Sequence, residues 1–202
     1  MSPEHEPPPF VVGRPVSGVY FIDREDELGR LIALIRGLQN AASSNAVLIG
    51  LRRTGKSSIL HNAMIQLEEN RKIVPVLLSC YGISSRSRFA KLLADSTIES
   101  YVRKMGDKVY WKRLVKAISE RKKETLDRLS ELSFWELSFR FSLKNIDENS
   151  LIEQALEFIE ALASDKGCFF VLMLDEFQDA IKWGEKTLKR IRTVIQSSKR
   201  VP

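Results

Sequence analysis

The sequence predicts an α/β domain built on a mostly parallel sheet. Three short apolar runs carry that prediction: AVLI at 46–49, IVPVLL at 73–78 and FFVLML at 169–174, each bordered by segments whose apolar residues recur at helical spacing. The chain's 202 residues suffice for one such domain. Its 44% hydrophobic and 29% charged residues give the composition of an ordinary folded chain with a core.

Residues 1–18 hold five prolines, which predicts an extended N-terminal arm ahead of a domain spanning 19–202. In FIDREDELGRLIALIRGLQN, Leu28, Leu31, Ile32, Leu34, Ile35 and Leu38 fall on one helical face, behind an acidic first turn of Asp23, Glu25, Asp26 and Glu27. AVLIG at 46–50 is expected as a buried strand, followed by a loop and then a helix with Ile59, Leu60, Ala63, Met64 and Leu67 on one side. KIVPVLLSC gives a second strand, strained by Pro75, since proline belongs at strand starts or edges. Helices are expected over 85–106 and 108–130, separated near Gly106. In WELSFRFSLK, Trp135, Leu137, Phe139, Phe141 and Leu143 alternate with polar residues, the period of a half-buried strand at an edge or in a hairpin. A helix over 149–164, the strand of CFFVLMLDEFQD and a last helix in WGEKTLKRIRTVIQSS complete the pattern.

The segment between the first strand and its helix carries chemistry. GLRRTGKS at 50–57 is glycine, four residues, glycine, lysine, serine, the pattern of a loop that cradles phosphate between a strand and a helix N-terminus. Gly50 and Gly55 let the backbone wrap an anion while the free N–H groups of the helix start point at it. Lys56 supplies positive charge to the β- and γ-phosphates, and Ser57 offers a hydroxyl to Mg²⁺. Gly50, Arg53, Thr54, Gly55, Lys56, Ser57 and Ser58 are therefore the expected nucleotide contacts; Arg52 and Arg53 lie within reach of phosphate or of acidic neighbours. The second constellation is the acidic pair that ends the strand in LMLDEFQ. Asp175 is placed to hold Mg²⁺ opposite Ser57, and Glu176 to polarise an attacking water. Lys56 and Glu176 are the candidate catalytic residues, Ser57 and Asp175 the candidate metal ligands, and ATP with Mg²⁺ the expected ligands.

Together, FIDREDEL, GLRRTGKSS and LMLDEFQ resemble the archaeal branch of the AAA+ and STAND-like P-loop ATPases, relatives of the origin-recognition ATPases. The resemblance implies a three-layer αβα P-loop NTPase core and a glutamate-dependent ATPase. It also puts Phe21, Ile22 and Arg24 beside the adenine. The family continues, after the acidic strand and its helix, into a strand with a polar sensor residue and a helical lid. This chain stops at SSKRVP, where that strand would begin, so the core is expected to be incomplete at its C-terminus, with a gap between AVLIG and FFVLML. Either the sequence is a piece of a longer protein, which the cost of unpaired strand edges favours, or another segment or chain completes the sheet.

The net charge of +6 is concentrated. Nine basic residues lie between Arg103 and Lys123 against Asp107 and Glu120, a stretch that suits either a solvated helix face or a nucleic-acid contact. A protein partner or self-association is equally compatible with the sequence. Cys80 and Cys168 sit inside apolar runs and read as core residues of a cytoplasmic protein. The N-terminus lacks the pattern of a secretory signal, and no apolar run approaches the roughly 18 residues of a membrane helix. Two functions fit: ATP hydrolysis coupled to a partner, or a switch that holds nucleotide without cleaving it and binds nucleic acid or protein.

Overall fold

The computed structural model describes residues 13–40, 45–106, 148–198 and 200–201. In chain order, the described elements are α1 (Glu25–Gly37), α2 (Lys56–Leu67), β1 (Ile73–Ser79), α3 (Arg86–Met105), α4 (Glu148–Lys166), β2 (Phe169–Asp175) and α5 (Glu185–Ser197), with short 3₁₀ turns at Gly18–Tyr20, Leu38–Asn40 and Phe177–Trp183. All of the basic stretch beyond Gly106, the expected helix over 108–130 and the alternating segment at 135–144 lie outside the described residues.

β1 and β2 pair in parallel, with Ile73 opposite Phe169 and Ser79 opposite Asp175. Strand periodicity sends alternate residues to opposite faces, and both strands are apolar on both, as parallel strands require. Val74, Val76, Leu78 and Phe170 join residues of α3, α4 and α5 in one cluster. Ile73, Val171 and Met173 join Leu28, Ile32 and Ile35 of α1 and Ile59, Ala63 and Leu67 of α2 in the other. Pro75 is fully buried on β1, which has one strand neighbour among the described residues, so its missing N–H interrupts no ladder on the other edge. At the larger cluster's rim, Trp183 packs on Phe89 with ring centroids 4.7 Å apart and meets Phe177 edge-on at 82°.

The helix ends follow local chemistry. Ser85 caps α3 by accepting the Arg88 N–H at 3.2 Å, and Gly106 closes it with φ +69° and an N–H to Val102 O at 2.9 Å. Lys104 Nζ donates to Leu67 O, setting a cation on the carbonyl end of α2; burial lowers its pKa below the usual lysine value.

The run AVLIG departs from expectation. Residues 45–50 form no strand, and Val47 and Ile49 are 80% and 91% exposed. A strand needs a hydrogen-bonded neighbour to satisfy its backbone. On the edge of β2 away from β1, Phe170 N–H donates to Arg200 O at 3.1 Å, and Val201 is buried. The described sheet therefore has two strands, and residues 45–50 pair with neither of its outer edges.

Cys80 and Cys168 are free and buried, as the apolar runs suggested. Burial, followed by the negative charge of Asp175 and Asp179, pushes the Cys80 thiol up to about 12; burial pushes Cys168 up to about 11. Both folded values exceed the unfolded 9.0, so the stability they contribute is present below about pH 9 and is lost as pH rises through the folded values. Alkylation at pH 8 is expected to be slow in the native protein and rapid after unfolding. Fast native labelling would contradict this packing.

Candidate functional site

The turn linking α2 to β1 decides where the site lies. Asn70 N–H donates to Leu67 O at 3.1 Å and Ile73 N–H to Asn70 O at 3.2 Å, so the chain reverses at once and α2 runs back antiparallel to β1. Twelve helical residues rise about 18 Å, and seven strand residues about 23 Å. The N-terminal end of α2, with Lys56 and Ser57, is thereby brought to the same end of the sheet as Ser79 and Asp175, where strands point their C-termini. This is the end at which open α/β sheets bind ligands.

The loop from Gly50 to Gly55 winds tightly into the start of α2. Arg53 and Gly55 are left-handed, at φ +64° and +84°, and Gly55 is the N-cap of α2. A Cβ on Gly50 would stand 3.0 Å from Thr54 Oγ1, a close approach that the Thr54 side chain would have to relax to admit. Thr54 Oγ1 donates to Leu51 O at 2.8 Å, and Lys56 Nζ donates to Gly50 O at 3.0 Å and Leu51 O at 2.7 Å. The ammonium thus sits on the loop's own carbonyls, beside the first turn of α2, whose amides have no intrahelical acceptor. Ser57 is half-buried in that turn, whereas Gly50 and Arg53 are exposed. Ser58 faces the other way: its hydroxyl accepts the Val16 N–H at 3.1 Å.

At the end of β2, Asp175 Oδ1 accepts the Glu176 N–H at 2.9 Å, and Asp175 O accepts the Cys80 N–H at 2.8 Å. Glu176 is left-handed at φ +53°, and its Oε2 accepts a hydrogen bond from Gln178 Nε2. A non-glycine residue in this conformation carries about 1–2 kcal/mol of strain, which here turns the carboxylate out of the strand direction. Asp179 lies one turn on, accepting the Gly82 N–H at 3.2 Å and facing Lys182 at 3.8 Å.

Among the described residues no cluster of three or more His, Cys, Asp or Glu could hold a metal by itself. The hard oxygen donors at this end, the Ser57 hydroxyl and the Asp175 carboxylate, suit Mg²⁺, which takes one or two protein oxygens and fills its shell with water and phosphate. Of the residues expected near a base, Phe21 packs into the α1–α2 cluster, Ile22 is exposed, and Arg24 Nη1 pairs with Glu27 Oε1 at 2.8 Å.

The sequence model of the AAA ATPase domain matches residues 20–201, nearly the whole chain and both constellations. The chain belongs to the AAA ATPase domain family. No curated protein and no solved structure gives a match. As an AAA ATPase domain the chain is a nucleotide-binding P-loop protein of α/β class. Among the described residues no helix is long and apolar enough to cross a membrane.

Two residues of this AAA ATPase domain were invisible as site residues. Gln178 was read only as part of LMLDEFQ, yet it holds Glu176. Asn62 on α2 is buried; its place four residues after Ser58 on a helix lined by Ile59 and Ala63 is the sequence signal for that.

Gly55→Ala places a side chain at φ +84°, at about 1–2 kcal/mol. The expected outcome is an ATP affinity weaker by on the order of tenfold, with the far-ultraviolet circular dichroism spectrum retained. Unaltered affinity by calorimetry would show that the loop does not need this winding to bind.

Proposed function

We propose that this chain is an ATP-binding P-loop module that hydrolyses ATP with Mg²⁺ and couples the cycle to an unidentified partner. The single observation that supports the proposal is the direction of α2, which starts at Lys56 and turns back at Asn70 into β1, the strand paired in parallel with the one that ends in Asp175. Residues 1–18 act as an arm and 19–202 as the ATPase domain, a three-layer αβα core with a mostly parallel sheet. FIDREDEL and LMLDEFQ support a place beside the archaeal, origin-recognition-related branch.

Each residue's part follows from its position. Lys56 exchanges the carbonyls of Gly50 and Leu51 for the phosphate oxygens of the nucleotide, a strong charge-assisted contact replacing two to neutral carbonyls. The amides of Gly55, Lys56, Ser57 and Ser58 add the helix's positive end. Arg53 and Thr54 shape and flank the loop. Ser57 and Asp175 would hold Mg²⁺, which when bound neutralises charge on the phosphates. Glu176 accepts the proton of the attacking water as its carboxylate is steadied by Gln178. Phe21, Ile22 and Arg24 lie beside the base.

A second reading is a nucleotide switch that binds without cleaving. It is favoured by the state of the two key side chains: Lys56 is bound to its own loop, and Glu176 is already engaged by Gln178. The basic 103–123 stretch would then serve nucleic acid, and a salt-sensitive, ATP-dependent gel shift is its mark.

Glu176→Gln separates the two. Removal of a general base lowers turnover by about 10²–10⁴-fold, while equilibrium ATP binding is expected to stay within about twofold of wild type because the phosphate grip is untouched. Equal residual turnover in wild type and variant would remove hydrolysis through Glu176 and leave the switch.

A further inference from the structure

The end of the molecule away from the phosphate loop gathers helix C-termini. Gln39 Nε2, just past α1, donates at 3.1 Å to Asn70 Oδ1, just past α2. Lys104 Nζ, near the end of α3, donates to the carbonyl of Leu67, the last residue of α2. Three helices thus finish beside the strand starts, where Phe169 N–H donates to Lys72 O at 2.8 Å. The length of α2, about 18 Å for its twelve residues, separates this end from Lys56.

Among these ends lies a shallow, open cavity of about 500 Å³. It is lined by the cations Arg36, Arg71 and Lys72 and the amides Gln39, Gln66 and Asn70, against a single carboxylate, Glu69. Arg36, Arg71 and Lys72 are exposed, and among the described residues none of them forms an ion pair. Glu68, beside Glu69 in the chain, faces Arg103 instead, at 3.9 Å. Cations at helix C-termini have an ordinary use, which is to offset the negative end of the dipole. Arg36, in the last turn of α1, serves its helix in that way. For α2 the place is filled by Lys104 on the Leu67 carbonyl, whereas Arg71 and Lys72 stand past the last turn, in the link to β1.

A surface of unpaired cations and amides selects its partner by charge and hydrogen bonding. The phosphate oxygens of a nucleic-acid backbone accept from these donor types, arginine, lysine, asparagine and glutamine. A protein partner relies on apolar or aromatic anchors seated in pockets, and among the described residues no aromatic or large apolar side chain lines the cavity. Single strands are held by stacking bases on aromatic rings, which the same lining lacks. Charge and donors therefore fit a duplex touched at its phosphates.

We propose that the face formed by Arg36, Arg71 and Lys72 is a contact surface for the phosphate backbone of a double-stranded nucleic acid, bound without regard to base sequence. The inference deepens the nucleic-acid part of the switch reading and rests on it for the class of partner. It uses no residue beyond Gly106 and holds whether or not ATP is cleaved.

The test is a fluorescence-anisotropy titration of a labelled DNA duplex with the full chain at several salt concentrations. Wild type is compared with the triple variant Arg36→Gln, Arg71→Gln, Lys72→Gln, and with Lys112→Gln, Arg113→Gln, Lys116→Gln in the basic stretch. The face variant is expected to lose about tenfold to a hundredfold in affinity near 0.1 M salt, and its salt slope is expected to fall by about 2–3. Lys72→Glu, a single exposed change, is expected to weaken binding in the same direction should the triple variant fold poorly. A face variant that binds as wild type does would overturn the proposal; loss confined to the 112, 113 and 116 variant would leave the nucleic-acid reading standing without this face. Absence of duplex binding by wild type at low salt would overturn both. Polyglutamate that displaces the label as effectively as unlabelled duplex of equal charge would give the face to an acidic protein and overturn the proposal as well.

Discussion

The reversal between Leu67 and Ile73 sets the position of everything that follows. Two turn hydrogen bonds through Asn70 bring α2 back along β1, and the apolar side of α2, with Ile59, Ala63 and Leu67, seals against Val171 and Met173 of β2. Hydrophobic burial fixes the helix on the sheet, at roughly 25 cal/mol per Å² removed from water, and the turn fixes its direction. Together they leave the positive end of the helix at the carboxyl ends of the strands. A loop of the same sequence on a helix pointing the other way would present its glycines and lysine to the wrong end of the acidic strand.

The residues at that end are held in conformations their types do not favour. Arg53 and Glu176 are left-handed without being glycine, and Lys56 rests on carbonyls that a phosphate would displace. Strain of this kind persists where packing around it over-determines the backbone. Asp175 supplies part of that constraint through the Glu176 N–H, and Gln178 another part through the carboxylate. The buried Asn62 contributes a different constraint, tying Val16 to the same helix. The glycine loop, the acidic strand end and the segment tied through Val16 thus lie along α2 and the strand ends beside it.

Much of this was legible in the sequence where a local rule dominates. Ser85 and Gly106 bracket α3 because a hydroxyl cap and a left-handed glycine end a helix wherever they stand. The apolar runs at 73–78 and 169–174 became paired strands, since each satisfies the other's backbone while both faces bury apolar side chains against helices. AVLIG did not, although its composition is as strand-like, because strand formation depends on a neighbouring edge and not on the run itself. Residues of the site were legible as GLRRTGKS and LMLDEF, patterns in which chemistry and spacing coincide. Asn62 and the outward turn of the Ser58 hydroxyl were not, since a polar residue on a helix reads as solvent-facing until the partner from 46 residues earlier is seen.

The most direct test of the account is amide hydrogen exchange of the full chain with and without saturating Mg-ATP. The first turn of α2 leaves backbone amides without intrahelical acceptors, and a bound triphosphate would give them acceptors. The account predicts slowed exchange there and at 175–179, with little change in the middle of α3. Unchanged exchange over 50–58 at saturating nucleotide would contradict it.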